Sequence, residues 1–204
     1  LTIDKFIGDA LMAFWNAPLP QPDHHARAVD AAIALQNHVP AINDRLRREI
    51  GDAWKGDGIN IGVGVASGTV VVGNLGSRTR LSYSVVGDTV NLAARLEPFS
   101  KQTGLPLTFA GATADGATTD AERRGLLKID EITVRGRSAA EPIFSWHPLD
   151  DATQAAHDEF LAAFLAAGTK RQKSALAPVL EALAAKPGYP QTLAAYYRGR
   201  ISAA

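Results

Sequence analysis

Two polar side chains stand four residues apart in a segment that otherwise has the pattern of a packed helix. They are Asn91 and Arg95, and at this spacing both project from one face of a helix, about one turn apart. An amide beside a guanidinium offers hydrogen-bonding groups for a ribose hydroxyl and for a phosphate. The alternative is a solvated helix face, and these two residues alone leave both interpretations open.

The segment that positions this pair, residues 83–97, has the pattern of a strand that turns into a helix. The strand ends near Val86, Gly87 makes the turn, and Asp88 is the expected N-cap. The helix then has one apolar stripe, formed by Thr89, Leu92, Ala93 and Leu96.

A lysine and an aspartate that could take part in binding or catalysis lie near the start of the sequence. Alternating apolar and polar residues up to Phe6 and a second apolar run over 11–15 predict a β-hairpin with Gly8 and Asp9 at its tip. Asp9 is then either a turn former or a carboxylate directed at a metal-bound phosphate. Lys5 lies on the strand that leads to this tip.

Composition limits the classes of function. The 204 residues are 46% hydrophobic, and 21 Lys and Arg balance 21 Asp and Glu, so we expect a soluble globular protein that binds no nucleic acid. A phosphate ligand would therefore need a local site. The absence of cysteine excludes disulfides, thiolate metal sites and cysteine nucleophiles.

The segment 59–66 alternates Ile and Val with glycine, alanine and asparagine, so it predicts a strand with one bulky face and one nearly free of side chains. We expect another backbone or a ligand to approach that bare face closely. The glycine spacing there is similar to a dinucleotide-binding motif, but a strand follows where that motif requires a helix. We therefore reject a Rossmann fold.

The other elements follow from periodicity and from glycine and proline positions. We expect a helix from Asp23 to about Ile50 with a break near Pro40, and a small helical turn within 110–120. Further strands are predicted at 105–109, 126–134 and 142–146, and alanine-rich helices at 155–167, 172–185 and 191–201. Tyr189, Tyr196 and Tyr197 are expected to be packing residues.

Four stretches resemble, in the same order, the catalytic domain of class III nucleotidyl cyclases, the adenylate and guanylate cyclases. They are Lys5-Phe-Ile-Gly-Asp-Ala-Leu-Met-Ala-Phe14, Gly73-Asn-Leu-Gly76, residues 83–97 and Val134-Arg-Gly-Arg137. The resemblance implies an α+β, ferredoxin-like-derived cyclase fold with a mostly antiparallel sheet flanked by helices. It covers residues 1–148 as the catalytic domain and leaves 149–204 as a helical C-terminal extension.

The resemblance also implies roles for single residues. Lys5 would contact the purine, and Ser84 stands at the second base-recognition position. Adenylate cyclases typically have Asp or Thr there, whereas guanylate cyclases typically combine Glu at the position of Lys5 with Cys at the position of Ser84. Lys5 with Ser84 therefore favours ATP, because a hydroxyl can accept from the adenine amino group.

The catalytic roles implied by the resemblance concern the phosphates and the metals. Asn91 would orient the ribose, Arg95 would stabilise the reacting phosphate, and Arg135 would bind the terminal phosphates. Asp9 would be one of two carboxylates that hold two divalent cations, Mg²⁺ or Mn²⁺. The other carboxylate lies on an earlier strand in the family, and we expect this sequence to begin after that strand.

The function implied is an adenylate cyclase that forms 3′,5′-cyclic AMP and pyrophosphate at sites shared by the two subunits of a homodimer. Such a catalytic domain would be cytoplasmic, with a membrane or sensor domain possible upstream. Two alternatives stay open: a degenerate, dimerising regulatory domain without catalysis, and a guanylate cyclase.

Overall fold

The computed structural model of the chain describes residues 1–54, 56, 58–77, 80–117, 125–133 and 140–203. The first elements are β1 (Thr2–Ile7) and β2 (Ala10–Phe14), which pair antiparallel with Gly8 and Asp9 at the turn. The predicted first hairpin is thus confirmed.

The pairing of β1 with β2 contains a β-bulge. Ile3 lies opposite Ala13, but Lys5 lies opposite Met12, so β1 advances two residues where β2 advances one. Asp4 is therefore the extra residue of the bulge. A bulge bends the strand and changes the direction of its side chains.

Helix α1 (His24–Ile50) is continuous, and the expected break near Pro40 is wrong. Proline removes one helical hydrogen bond and crowds the preceding turn, but contacts elsewhere along α1 hold it in place. Beyond the proline, Asn43 accepts from the backbone N–H of Ile59 at 2.7 Å and donates to its carbonyl at 3.0 Å. Before the proline, Gln36 donates to the carbonyl of Ile61.

The largest described sheet has four strands in the order β3 (Val63–Val65), β6 (Leu107–Ala110), β8 (Ala140–Trp146) and β7 (Leu126–Thr133). Strand β3 is parallel to β6, and the other pairs are antiparallel. Strand β3 is shorter than the 59–66 segment predicted to form it. Helix α4 (Gly111–Gly116) follows β6 directly.

A second hairpin leads into the helix that carries Asn91 and Arg95. It consists of β4 (Val71–Ser77) and β5 (Arg80–Val86), paired antiparallel, and it is followed by α2 (Asp88–Leu96) and α3 (Phe99–Thr103). The expectation that Asp88 is the N-cap is wrong. Gly87 is the N-cap, with a φ of 153°, and Asp88 is the first helical residue, where its negative charge suits the helix dipole.

The bare face of the segment before and within β3 packs against helices of the same chain. A Cβ atom at Gly62 would collide with the side chain of Ser100, and one at Gly64 would collide with the backbone of α2. The expected close approach is therefore made by the α2 backbone and α3, which sit directly against the strand.

The C-terminal part is helical, as predicted, in the form of α5 (Asp151–Ala166), α6 (Lys170–Ser174), α7 (Ala177–Ala184) and α8 (Gln191–Ala203). The single helix expected over 172–185 is divided in two, and Pro178 lies in the first turn of α7, where its missing N–H removes no helical hydrogen bond. No helix in the described ranges combines the length and the apolarity needed to cross a membrane.

The C-terminal helices share one hydrophobic core with the sheet. Leu96 and Ile129 belong to the same buried cluster as Phe160, Leu193 and Tyr197. Tyr197 and Tyr189 are buried, and Tyr196 packs against the cluster, so these three tyrosines are packing residues as expected. The division of the chain near residue 148 remains a prediction.

Candidate active site

The structure brings Lys5 and Ser84 together through Asp4, a residue between them. The Ser84 hydroxyl donates to Oδ2 of Asp4 at 2.7 Å, and the Lys5 ammonium lies 3.6 Å from Oδ1 of the same carboxylate. Ser84 is 2% exposed and the Asp4 side chain 0%, whereas the Lys5 side chain is 47% exposed. A buried carboxylate thus joins a buried hydroxyl to a cation at the surface.

Sequence reasoning missed Asp4. In a regular strand, consecutive side chains point to opposite faces, so Asp4 and Lys5 were not expected to serve one site. The bulge at Asp4 changes this alternation, and the ion pair between the two side chains is the result. The sequence does show an acidic residue directly before Lys5. It does not show the bulge that brings the two side chains together.

Strand β4 has no side chain directly opposite Ser84. Gly73 lies directly opposite Ser84 in the β4–β5 pair, and a Cβ atom added to Gly73 would meet no atom within 4 Å. A second contact fixes the two hairpins against each other, because the rings of Phe14 and Tyr83 lie 6.1 Å apart. The Asp4–Ser84 bond therefore lies between two hairpins that contact each other, with no side chain of β4 directly opposite Ser84.

Helix α2 presents Asn91 and Arg95 on its exposed side. Its opposite side is buried through Thr89, Leu92 and Leu96, so the amphipathic pattern of the sequence is the pattern of the structure. The chain passes from Ser84 through the turn at Gly87 into this helix. Ser84, Asn91 and Arg95 therefore lie on one unit, a strand followed directly by a helix.

Asp9 lies at the tip of the β1–β2 hairpin, and it is exposed. The hairpin that carries Lys5 and Asp4 thus also carries a carboxylate at its free end. Within the described residues, no three side chains of His, Cys, Asp and Glu are arranged to hold a metal ion.

The family described as "Adenylate and Guanylate cyclase catalytic domain" matches residues 4–144. The chain belongs to this family. Adenylate cyclase 1 of Rhizobium meliloti (strain 1021) is 32% identical to this cyclase domain over 146 residues, which are 70% of this chain and 20% of that protein. The chain thus spans about a fifth of the length of this curated relative.

Solved structures of both kinds of cyclase are similar to this domain. The adenylyl cyclase CyaB from P. aeruginosa is 28% identical, with a TM-score of 0.61, and the match covers 74% of this chain and 73% of that chain. The guanylyl cyclase Cya2 is 27% identical, with a TM-score of 0.59, and the match covers 74% and 71%. The α+β cyclase fold is therefore established, and an adenylyl and a guanylyl cyclase share it.

The family implies divalent cations, and the described residues of this cyclase domain fit them in part. Mg²⁺ is commonly held by one or two carboxylates together with substrate phosphates and water. Asp9 is suited to be one such ligand, since it is exposed at a hairpin tip. The described residues do not complete a site for two metal ions. Arg135, expected to bind the terminal phosphates, lies outside the described residues.

The two hairpins of the cyclase domain carry a group of exposed apolar side chains, which we call the hairpin patch. It consists of large apolar side chains that remain more than one third exposed: Leu1, Ile3, Phe6, Ile7, Leu11, Val71, Leu81, Tyr83 and Val86. Phe6 is the most exposed of them, at 75%. Where exposed apolar side chains form a large continuous surface, they mark an interaction site in soluble proteins.

Proposed function

We propose that the chain is the catalytic domain of an adenylate cyclase, which converts ATP into 3′,5′-cyclic AMP and pyrophosphate. The observation that carries the proposal is the meeting of the Lys5 ammonium and the Ser84 hydroxyl at the Asp4 carboxylate. In this family these two positions are expected to contact the base. An adenylate cyclase among the relatives and an adenylyl cyclase among the similar structures support the same conclusion.

The reaction is an in-line attack of the ribose 3′-oxygen on the α-phosphorus, from which pyrophosphate leaves. Asn91 orients the ribose, so that the attacking oxygen is held near the phosphorus. Arg95 meets the charge that develops on the α-phosphate oxygens, and its place on a packed helix limits the reorganisation needed during the reaction. Arg135 binds the terminal phosphates.

Two divalent cations, Mg²⁺ or Mn²⁺, would lower the pKa of the 3′-hydroxyl and bind the triphosphate when present. Asp9 would provide one of their carboxylate ligands. The 3′-hydroxyl gives its proton to water as its bond to the α-phosphorus forms and the bond to pyrophosphate breaks. The work assigned to this chain's own side chains is binding and orientation.

Homodimerisation with shared sites is part of the proposal. The hairpin patch supports it, because its residues lie on the same two hairpins as Lys5, Asp9 and Ser84. A second copy that covers the patch would bring its own side chains next to these residues. Each site would then combine metal carboxylates from one subunit with Lys5, Ser84 and the α2 residues of the other.

Two other functions remain to be separated by experiment. A guanylate cyclase is represented by the similar structure of Cya2, but Lys5 stands where such enzymes typically have Glu. A degenerate domain would bind nucleotide and regulate a neighbour without catalysis, and the incomplete metal site among the described residues is the observation behind it.

The deciding experiment incubates the full-length protein with ATP or with GTP, in the presence of Mn²⁺ or Mg²⁺. Cyclic AMP, cyclic GMP and pyrophosphate are measured, and the Arg95→Ala variant is the control for contaminating activity. We expect cyclic AMP from ATP and little product from GTP. Nucleotide binding without any cyclic product would support the regulatory domain, and a preference for GTP would support the guanylate cyclase.

A further inference from the structure

We propose that Asp4 is a positioning residue that makes the base site selective for adenine, because it fixes the direction of the Ser84 hydroxyl. This inference rests on the proposed function, since it concerns the base that the site accepts. It assigns a role to a residue that is neither a metal ligand nor a direct contact to the substrate.

The starting point is the ambiguity of a serine hydroxyl. A hydroxyl has one proton to donate and two lone pairs that accept. It can therefore accept from the amino group of adenine, and it can equally donate to the carbonyl oxygen that guanine has at the corresponding position. Ser84 alone would discriminate poorly between the two bases.

The Asp4 carboxylate removes this ambiguity. Ser84 donates its only proton to Oδ2 of Asp4 at 2.7 Å, and a carboxylate can only accept. The remaining hydrogen-bonding capacity of Ser84 consists of lone pairs. A base that approaches Ser84 must then supply a donor, which adenine does with its amino group and guanine does not at that position.

Burial makes the arrangement persistent. The Asp4 side chain is 0% exposed and Ser84 is 2% exposed, so little water competes for the bond between them, and such a charge-assisted bond is stronger than a neutral one. Oδ1 of Asp4 is buried and has no hydrogen-bond partner among the described residues. Its nearest cation is the Lys5 ammonium at 3.6 Å, so the same carboxylate also keeps Lys5 beside Ser84.

The bulge in β1 explains how Asp4 can both bond to Ser84 and pair with Lys5. Asp4 is the extra residue where Ile3 faces Ala13 and Lys5 faces Met12, and a bulge redirects side chains relative to regular alternation. Gly73 is the residue directly opposite Ser84, and a Cβ atom there would meet no atom within 4 Å, so no side chain of β4 blocks the approach of a base to the hydroxyl from that strand.

The test is the Asp4→Asn substitution in the full-length protein. An amide can donate as well as accept, so the Ser84 proton is free to turn towards a guanine carbonyl. We expect the ratio of kcat/KM for ATP to that for GTP to fall by at least about tenfold, the discrimination that one hydrogen bond of this kind supplies. Ser84→Ala should lower the ratio to a similar extent.

A double variant separates an action through Ser84 from a general structural effect. If Asp4 acts through Ser84, Asp4→Asn has no further effect on the ratio in a Ser84→Ala background. Ser82→Ala is the matched control, because Ser82 lies on the same face of β5 and is exposed; it should leave the ratio unchanged. If Asp4→Asn fails to fold, Asp4→Leu provides the same test with an apolar side chain of similar size.

The outcomes distinguish this inference from the proposed function. An unchanged ratio in a folded Asp4 variant, or independent effects of the two substitutions, would overturn the inference and leave the cyclase intact. A wild-type protein that forms no cyclic nucleotide would overturn the proposed function. For a protein without cyclase activity, the role of Asp4 is tested by the competition of ATP and GTP against a fluorescent ATP analogue. Equal binding of ATP and GTP by the wild type would overturn the inference as well.

Discussion

Gly64 lies directly against the carbonyl of Ala93: a Cβ atom at position 64 would be 2.4 Å from that oxygen and 2.5 Å from the backbone nitrogen of Glu97. Real Cβ atoms do not approach backbone so closely. Helix α2 is therefore held against β3 at backbone contact distance, and the positions of Asn91 and Arg95 depend on a residue without a side chain.

We predict that Gly64→Ala displaces α2. The obstructing atoms are backbone atoms, which cannot rotate away, so the free energy of unfolding should fall by about 1–3 kcal/mol, as for other overpacked sites. Cyclase turnover should fall at least tenfold, because a displacement of about 1 Å is enough to disturb catalytic geometry. Denaturant unfolding and cyclic AMP formation measure the two effects.

The control for this variant is Gly199→Ala in α8. A Cβ atom at Gly199 would meet no atom within 4 Å, and alanine in a helix is favoured over glycine by about 1 kcal/mol. This control should therefore keep its turnover and gain a little stability. A Gly64→Ala protein with wild-type turnover and stability would contradict the contact described between β3 and α2.

Arg95 should be needed for the chemical step. Its loss removes a fixed cation from the reacting phosphate, and comparable donors contribute on the order of 3 to 4 kcal/mol to the transition state. We predict that Arg95→Ala lowers turnover at least about a hundredfold. Because Arg95 is exposed on α2, the free energy of unfolding should change by no more than about 0.5 kcal/mol.

Arg48→Ala is the matched control for Arg95, since Arg48 is an exposed arginine on the remote helix α1. Its turnover should be that of the wild type. Arg95→Lys keeps the charge but loses the planar fork of donors, so its turnover should lie between those of the wild type and Arg95→Ala. Near-normal turnover of Arg95→Ala would refute the assigned role.

Shared sites predict complementation between two inactive chains. In a mixture of full-length Asp9→Ala and Arg95→Ala proteins, a heterodimer would have one site with both substitutions and one site with neither. We expect the mixture to recover cyclic AMP formation that neither protein has alone, in proportion to the amount of heterodimer. Sites built within single chains would give no recovery.

The hairpin patch should be buried in the dimer. We predict that Phe6→Lys lowers the dimer fraction measured by analytical ultracentrifugation, because it places a charge in the most exposed apolar part of the patch. Val179→Lys on α7 is the control: Val179 is an apolar side chain that is 49% exposed and lies outside the patch. Loss of dimer in the control, or a normal dimer with Phe6→Lys, would exclude the patch as the interface.

The sequence predicted those features that depend on neighbours along the chain. Alternation and the Gly8-Asp9 turn located the first hairpin, and the spacing of Thr89, Leu92 and Leu96 gave the buried face of α2 and hence the exposed face of Asn91 and Arg95. The roles proposed for these residues come from the resemblance to the cyclase family and not from periodicity.

The features that the sequence did not predict depend on contacts between distant segments. Helix α1 continues through Pro40, and its Asn43 bonds to Ile59, in the segment that leads to β3. Asp4 joins Lys5 to Ser84, eighty residues later, because a bulge directs it there. A close approach to the glycine-bearing face of this segment was expected. The sequence did not show that the backbone of α2 makes this approach at Gly64.

A buried histidine, His157, links the C-terminal helix α5 to strand β7 of the sheet. His157 is 0% exposed, and its Nε2 lies 2.7 Å from the carbonyl oxygen of Lys128. A carbonyl can only accept, so Nε2–H donates, and in the neutral ring Nδ1 accepts from the Tyr189 hydroxyl at 3.0 Å. Burial lowers the pKa of His157 below its ordinary value, although the bond to Lys128 acts in the opposite direction.

The lowered pKa of His157 predicts that stability falls in mild acid. As the pH drops through the ordinary histidine pKa of about 6.5, the unfolded chain takes up a proton that the folded chain resists, so the free energy of unfolding decreases. The contribution is complete above that pH and is lost progressively below it. Denaturant unfolding between about pH 8 and pH 5 measures this slope, and His157→Gln, which retains a donor and an acceptor but cannot titrate, should make the slope shallower. An identical slope in the variant would show that other groups cause the acid sensitivity.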